Sequence, residues 1–263
     1  MRLALGLEYD GSRFLGWQTQ PEGGAVQDAL ESALAGIAGS SVDVTFAGRT
    51  DRGVHAREQV VHFDTDAERP ESAWVRGVNA MLPESLAVLW ARRVGEDFHA
   101  RYSAHARTYR YVLLNRPVRP ALAARHVGWF HSPLDVEAMR RAAALLVGEH
   151  DFSAFRSAEC QAKTPVRRMH SIDVERRGER IDIVLRANAF LHHMVRNIVG
   201  TLVYVGKGKH PAAWTAEVLA ARNRALAAPT FAAEGLYLER VEYDPRWTLP
   251  QVPLDALEVP VEP

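Results

Sequence analysis

The sequence predicts an α+β chain built from two β-α-β-β-α-β halves, and three observations predict it. Apolar residues alternate in short runs, recur at helical spacing between those runs, and repeat the same order of elements along the chain. The reading divides the chain into residues 1–105, residues 106–245 and a proline-rich acidic tail over 246–263.

In the first half Leu3, Leu5 and Leu7 alternate as on a strand. Val26, Leu30, Ala33, Leu34 and Ile37 then follow a helical period as far as Gly39. Val42, Val44 and Phe46 alternate before a polar loop, and Val61 and Phe63 alternate after it. A short helix follows Pro70 with Trp74 and Val78 on its apolar side, and Leu86, Val88 and Trp90 supply the last strand. The second half opens with Tyr109, Tyr111 and Leu113 on one strand face, followed by a helix near Val136, Met139, Ala143 and Leu146. Ile172 and Val174, then Ile181, Ile183 and Leu185, flank a turn at Arg177 and Gly178. Helices follow over Ala189–Gly200 and around Trp214 and Val218, and a strand with Leu236 and Leu238 closes the half. This is the ferredoxin-like order, in which helices cover one face of an antiparallel sheet. Two such units forming an extended, mainly antiparallel sheet leave the other face for a partner and a central cleft wide enough for RNA.

With 263 residues and 47% hydrophobic content, the chain can bury a core without staples. Cys160 is the single cysteine, which excludes an intramolecular disulfide and fits a reducing compartment. No apolar run approaches the ~18 residues of a membrane span, and Met1–Asp10 lacks a leader pattern, so the expected location is the cytoplasm. Lys and Arg together equal Asp and Glu at 32 each, but the charge is unevenly spread. Arg92 to Arg125 holds eight arginines against Glu96 and Asp97. Beyond Glu242 the acids dominate and five prolines interrupt, which reads as an extended, dispensable tail.

The loop Ala47–Arg57 presents one acidic side chain, Asp51, among Arg49, Arg52, Arg57 and His55. Nearby cations favour the ionised form, and an ionised Asp can act as nucleophile, base or metal ligand. Alone, the same loop also reads as a capped turn or a salt bridge. The stretch Phe98–Tyr111 joins a basic linker carrying Arg101, Arg107 and Arg110 to Tyr109 on a strand face. Tyr109 is either a sheet aromatic or a base-stacking platform with a hydroxyl for proton transfer. On the helix Ala189–Gly200, His192 and Arg196 stand one turn apart, away from the face carrying Met194, Asn197, Ile198 and Thr201. His192 and His193 diverge around that helix with no Glu or Cys at ligand spacing, so no metal is expected there. Tyr9–Trp17 reads as a glycine turn, and Asp151–Ser157 with Lys163–Arg168 as a solvated loop with spare cations.

In order along the chain, these blocks resemble the TruA family of tRNA pseudouridine synthases, over about Leu3 to Tyr243. The most specific are Gly-Arg-Thr-Asp-x-Gly-Val-His at Gly48–His55 and His-His-Met-Val-Arg-Asn-Ile-Val-Gly at His192–Gly200. The resemblance implies isomerisation of uridine to pseudouridine on the 3′ side of the tRNA anticodon stem-loop (nucleotides 38–40). It implies a cofactor-free homodimer with no membrane partner. It assigns Asp51 as the catalytic aspartate, Tyr109 as the tyrosine stacking on the target base, Arg196 as the aspartate's partner and Arg49 as the side chain that helps extrude the base. Arg52, His55, Arg101, Arg107, Arg110 and His192 complete the expected substrate contacts. Arg52 stands where the family usually has a small residue. Two rivals remain at this level. One is a phosphoryl-transfer or nuclease site with magnesium on Asp51, which lacks a second clustered carboxylate. The other is a non-catalytic RNA-binding module, which lacks the aromatic RNP signature.

Overall fold

The computed structural model describes residues 1–253. In chain order its elements are β1 (Arg2–Tyr9), α1 (Val26–Ala38), β2 (Thr45–Phe46), β3 (His55–Asp64), a π-helical turn at Ala73–Gly77 and β4 (Leu86–Val94). They continue with β5 (Ala104–Asn115), β6 (Gly128–Phe130), α2 (Val136–Ala144), β7 (Gly148–Asp151), β8 (Val166–Arg177) and β9 (Arg180–Ala187). The last are α3 (Met194–Gly206), α4 (Trp214–Ala221) and β10 (Leu236–Tyr243). The chain is α+β, its strands pair mainly antiparallel, and its described residues divide into two units, Met1–His105 with residues 237–253, and Ala106–Leu236.

In the first unit the alternating leucines of β1 are buried, and β1 pairs antiparallel with β3 on one side and β4 on the other. β10 adds to β3 in parallel through Tyr237 against His55 and Leu238 against Ala56. α1 spans the residues its apolar spacing marks and ends at Gly39. Val42 and Val44 are buried as their alternation requires, yet only Thr45 and Phe46 pair as a strand. Alternation across β3 is used on both sides. Phe63 meets Trp74 of the π-helical turn at 5.3 Å, while His62 lies edge-on to Phe98 at 6.0 Å. Phe98 is in turn covered by Trp247 at 5.1 Å, so this end of β3 is closed on both faces within the unit. Residues 246–253, read from the sequence as the start of a dispensable tail, therefore contribute to this core. Trp247 is buried, and Val252 is gripped by Glu58 at its N–H and by Arg240 Nη2 at its carbonyl, 2.8 Å away. Residues 254–263, the rest of that expected tail, lie outside the described residues.

In the second unit β9 pairs antiparallel with β5 and β8, β7 extends β8, and β6 lies parallel to β5. β6 and β7 carry no apolar alternation and are absent from the sequence reading. α2 packs on β8 and α3, and α3 is buried along most of its length. The helix expected over Ala189–Gly200 begins later and runs further, over Met194–Gly206. His193 sits in the left-handed region at φ 62, and the His192 carbonyl accepts the Ser157 N–H at 3.0 Å, so helical pairing starts only at Met194. Among the described residues no helix is long and apolar enough to cross a membrane.

Candidate active site

The loop between β2 and β3 is held from behind by the segment that leaves β1. The Trp17 N–H donates to the Thr50 carbonyl at 3.0 Å, Tyr9 Oη and Thr50 Oγ1 share a buried hydrogen bond of 2.8 Å, and Gln59 Nε2 donates to the Gly48 carbonyl. Gly11 approaches the loop so closely that a Cβ there would lie 1.9 Å from the Val54 carbonyl oxygen. The loop turns through Gly53 at φ 81, a conformation that favours glycine, and the Val54 N–H closes it onto the Asp51 carbonyl at 3.1 Å. The segment Tyr9–Trp17, read alone as a glycine turn, is thus the brace of the Asp51 loop. Thr50 faces inward, Asp51 is half-buried at the surface, and Arg49 and Arg52 on either side are exposed.

Of the four cations that the sequence groups around Asp51, two engage groups outside the loop. Arg57 Nη1 pairs with Glu239 Oε1 at 3.0 Å. His55 is 2% exposed, its ring is stacked on Tyr237 at 4.6 Å, and its Nδ1 accepts the Gly11 N–H at 3.1 Å. Arg101 is exposed on a knuckle whose neighbour Ala100 is pinned through its N–H to His62 Nδ1 and through its carbonyl to Tyr243 Oη. The Arg101 guanidinium lies 5.6 Å from the ring centre of exposed Tyr102, a cation and aromatic pair open to solvent. Burial beneath this knuckle, helped by Arg2 and His99, lowers the His62 pKa to about 4. On the same face of β3, burial raises the Glu58 carboxyl to about 7 against the opposing pull of Arg240, whose Nε is 3.7 Å away.

In the second unit Tyr109 is 8% exposed on β5 and packs edge-on to Phe190 at 5.0 Å, in the segment that leads to His192 and Arg196. Arg107 shares its strand face and donates through Nη1 to the Asn188 carbonyl at 2.9 Å. Arg110, opposite Val184 in the register, projects from the other face of β5, so strand alternation separates it from Arg107 and Tyr109. Arg196 is half-buried in the first turn of α3, with Nε donating to the Phe231 carbonyl at 2.9 Å while its own carbonyl accepts the Phe231 N–H. His192 is half-buried and packs against the His193 ring at 4.1 Å.

One organising residue escaped the sequence reading. Asn197, which helical spacing places on an apolar face, is fully buried and donates to the Phe155 carbonyl at 2.8 Å. Its amide oxygen accepts from Arg224 Nη2 at 3.0 Å and from Thr230 Oγ1 at 2.7 Å. It ties α3 to the turn after β7 and to the segment after α4. The signal was available, because an amide at a buried helix position must satisfy its donor and acceptor.

Fold and surface together define an α+β protein that offers a carboxylate on a rigid, arginine-flanked loop and an aromatic on a strand beside a cationic helix start, chemistry suited to a polyanion. The chain belongs to the tRNA pseudouridine synthase family, whose profile matches residues 7–103 and 142–244. It is 61% identical over 250 residues to the tRNA pseudouridine synthase A of Aromatoleum aromaticum, covering 95% of both chains. The protein of the same name from Dechloromonas aromatica is 57% identical over 258 residues, 98% of each chain. That of Burkholderia ambifaria is 57% identical over 257 residues, 98% of this chain and 95% of the relative.

Proposed function

We propose that the chain converts uridine to pseudouridine on the 3′ side of the anticodon stem-loop of tRNA, with the Asp51 carboxylate as nucleophile. The coarser statement, an isomerase of uridine in tRNA, rests on family membership. The observation that carries the finer one is the half-buried Asp51 held at the surface of a braced loop between exposed Arg49 and Arg52.

The reaction breaks the bond between ribose C1′ and uracil N1, turns the base and rejoins it through C5, whose hydrogen leaves as a proton. A carboxylate oxygen supplies the temporary covalent partner, at ribose C1′ or at uracil C6. The base must first leave its stack at a cost of a few kcal/mol, which calls for a cation and an aromatic platform. Arg49 is the extruding cation, Tyr109 the stacking ring and hydroxyl, and Arg196 the cation of the reaction centre. Arg52 and Arg101, both exposed, hold phosphates, with His192 as a polar contact. His55 and Arg107 act through the backbone they fix, and Arg110 contributes from the opposite face of its strand. The working form is a cytoplasmic homodimer of chains with ferredoxin-like halves, and it needs no metal or cofactor.

The test is tritium release from tRNA carrying 5-tritiated uridine. Release proceeds undiminished in EDTA, and Asp51→Asn loses it by more than about a thousandfold while still binding tRNA. Release abolished by EDTA favours the metal-bound rival, and full activity in Asp51→Asn ends the nucleophile assignment.

A further inference from the structure

The loop Asp151–Ser157 reads in sequence as a solvated stretch with a spare cation, but it forms one wall of a cavity. Ser153, Arg156 and Ser157 from that loop, with Arg222, Asn223 and Arg224 from the end of α4 onward, line a space of about 340 Å³. Three guanidiniums meet there, and the acidic partner among the described residues is Asp151, whose Oδ2 lies 3.4 Å from Arg222 Nε. Arg156 donates to the carbonyls of Cys160 and Ala162. Arg224 donates to the Ala228 carbonyl, the Asn197 amide oxygen and the Thr230 hydroxyl. Neutral acceptors fix the orientation of a guanidinium without cancelling its charge, so the cavity keeps a surplus of positive charge.

Arg222 adds a second, independent observation. It caps α4 at φ 50, in the left-handed region, where glycine or asparagine fits without the roughly 1 kcal/mol cost that another side chain bears. A strained backbone therefore holds an arginine at the mouth of an arginine-lined cavity. Ser157 accepts the Glu159 N–H on its hydroxyl oxygen and keeps its own proton to donate. Among the described residues no aromatic side chain lines the space, so they offer nothing for a base to stack on and suit a phosphate, which matches the planar fork of arginine. The cavity is also joined to the reaction side of its unit, because the Ser157 N–H donates to the carbonyl of His192 just before α3.

We propose that this cavity is a phosphate subsite that grips one backbone phosphodiester of the substrate RNA, through Arg156, Arg222 and the Ser157 hydroxyl. The assignment rests on the reading of tRNA as substrate. Its role is to register the RNA along the second unit.

The experiment measures tRNA binding by the full chain between about 50 and 200 mM salt, the range over which phosphate contacts dominate the salt dependence. Arg222→Gly removes the charge and accepts the left-handed backbone, so its melting temperature holds or rises. Its affinity for tRNA falls several-fold, and the slope of log K against log salt becomes shallower by about 0.7 to 0.9, the value of one phosphate contact. Arg156→Gln gives the same change in slope. Arg141→Gln, which removes an exposed cation at the end of α2 outside the cavity, leaves the slope unchanged. An unchanged slope in Arg222→Gly, or an equal loss in Arg141→Gln, overturns the proposal. So does inorganic phosphate that raises the melting temperature of the wild type while Arg222→Gly binds tRNA normally, since the cavity is then a free-anion site. If the wild type binds tRNA with the expected slope but releases no tritium, the catalytic reading fails and the subsite stands.

Discussion

Two turns carry side chains central to the proposed chemistry, and they hold their backbones by different means. In the Asp51 loop the left-handed conformation falls on Gly53 at φ 81, and Gly11 lets a neighbouring segment press against Val54 from behind. In the turn before α3 the left-handed conformation falls on His193 at φ 62, a residue with a bulky side chain. The first turn is shaped by glycines and buttressed by hydrogen bonds to Thr50, Gly48 and His55. The second keeps its strain and is tied down by neighbours, through the bond from Ser157 to the His192 carbonyl and from Arg196 to Phe231. The contrast teaches that the proposed nucleophile sits on a relaxed, over-braced loop, whereas strain is kept where a helix start presents a cation.

The sharpest way to break this comparison is to remove the close approach in the first turn. A Cβ at Gly11 meets a backbone oxygen, not the end of a flexible side chain, so either the loop or the Tyr9–Trp17 segment must shift. Gly11→Ala is expected to cost about 4 kcal/mol in urea unfolding, at the upper end of what single substitutions do. Tritium release should fall along with it. A loss below about 1 kcal/mol in that experiment means that the brace is loose and the comparison wrong.

A second test probes by pH the strand that backs the first turn. The strand behind the Asp51 loop carries two buried groups, Glu58 and His62, whose shifts run in opposite directions. Burial raises Glu58 from 4.5 to about 7, so its contribution to stability is complete below pH 4.5 and is lost as pH rises through 7. His62 is lowered from 6.5 to about 4, so its contribution is present above pH 6.5 and is lost as pH falls through 4. Between those limits the two slopes oppose each other. Glu58→Gln leaves the His62 slope alone, so its stability relative to wild type should climb with pH, by up to about 3 kcal/mol at pH 8. Parallel pH profiles for the two proteins would remove Glu58 from the account.

Much of this arrangement was legible in the sequence, and the part that was not has physical reasons. Alternation located β1, β3, β5 and β9, and helical spacing located α1, because each buries a periodic apolar face. β6 and β7 were invisible because Gly-Trp-Phe and Gly-Glu-His-Asp take their strand form from neighbours, not from a pattern of their own. Motif reading singles out Asp51, Tyr109 and Arg196 as candidates, but not the support of Gly11, whose contact with Val54 joins segments distant in sequence. The placement of Arg110 opposite Tyr109 was available from period two alone. The cavity at Arg156 and Arg222 was not, since it depends on where α4 ends relative to the turn after β7.

The smallest expected effect bears on the strained turn itself. His193→Gly relieves the left-handed conformation, worth roughly 1 to 2 kcal/mol, but adds freedom to the unfolded chain worth about 0.5 to 1 kcal/mol. The net is a gain of about 0.5 kcal/mol, or one to two degrees in melting temperature for a chain of this size. Glycine also loosens the turn, so His192 and Arg196 sample more orientations and turnover should fall several-fold as the protein becomes slightly more stable. That opposition between stability and turnover is the signature of strain that positions a side chain. If stability and turnover drop together, the His193 ring against His192 is packing that the turn requires. If stability rises and turnover does not change, the strain serves no catalytic purpose, and the two turns differ only in how glycine happens to be distributed between them.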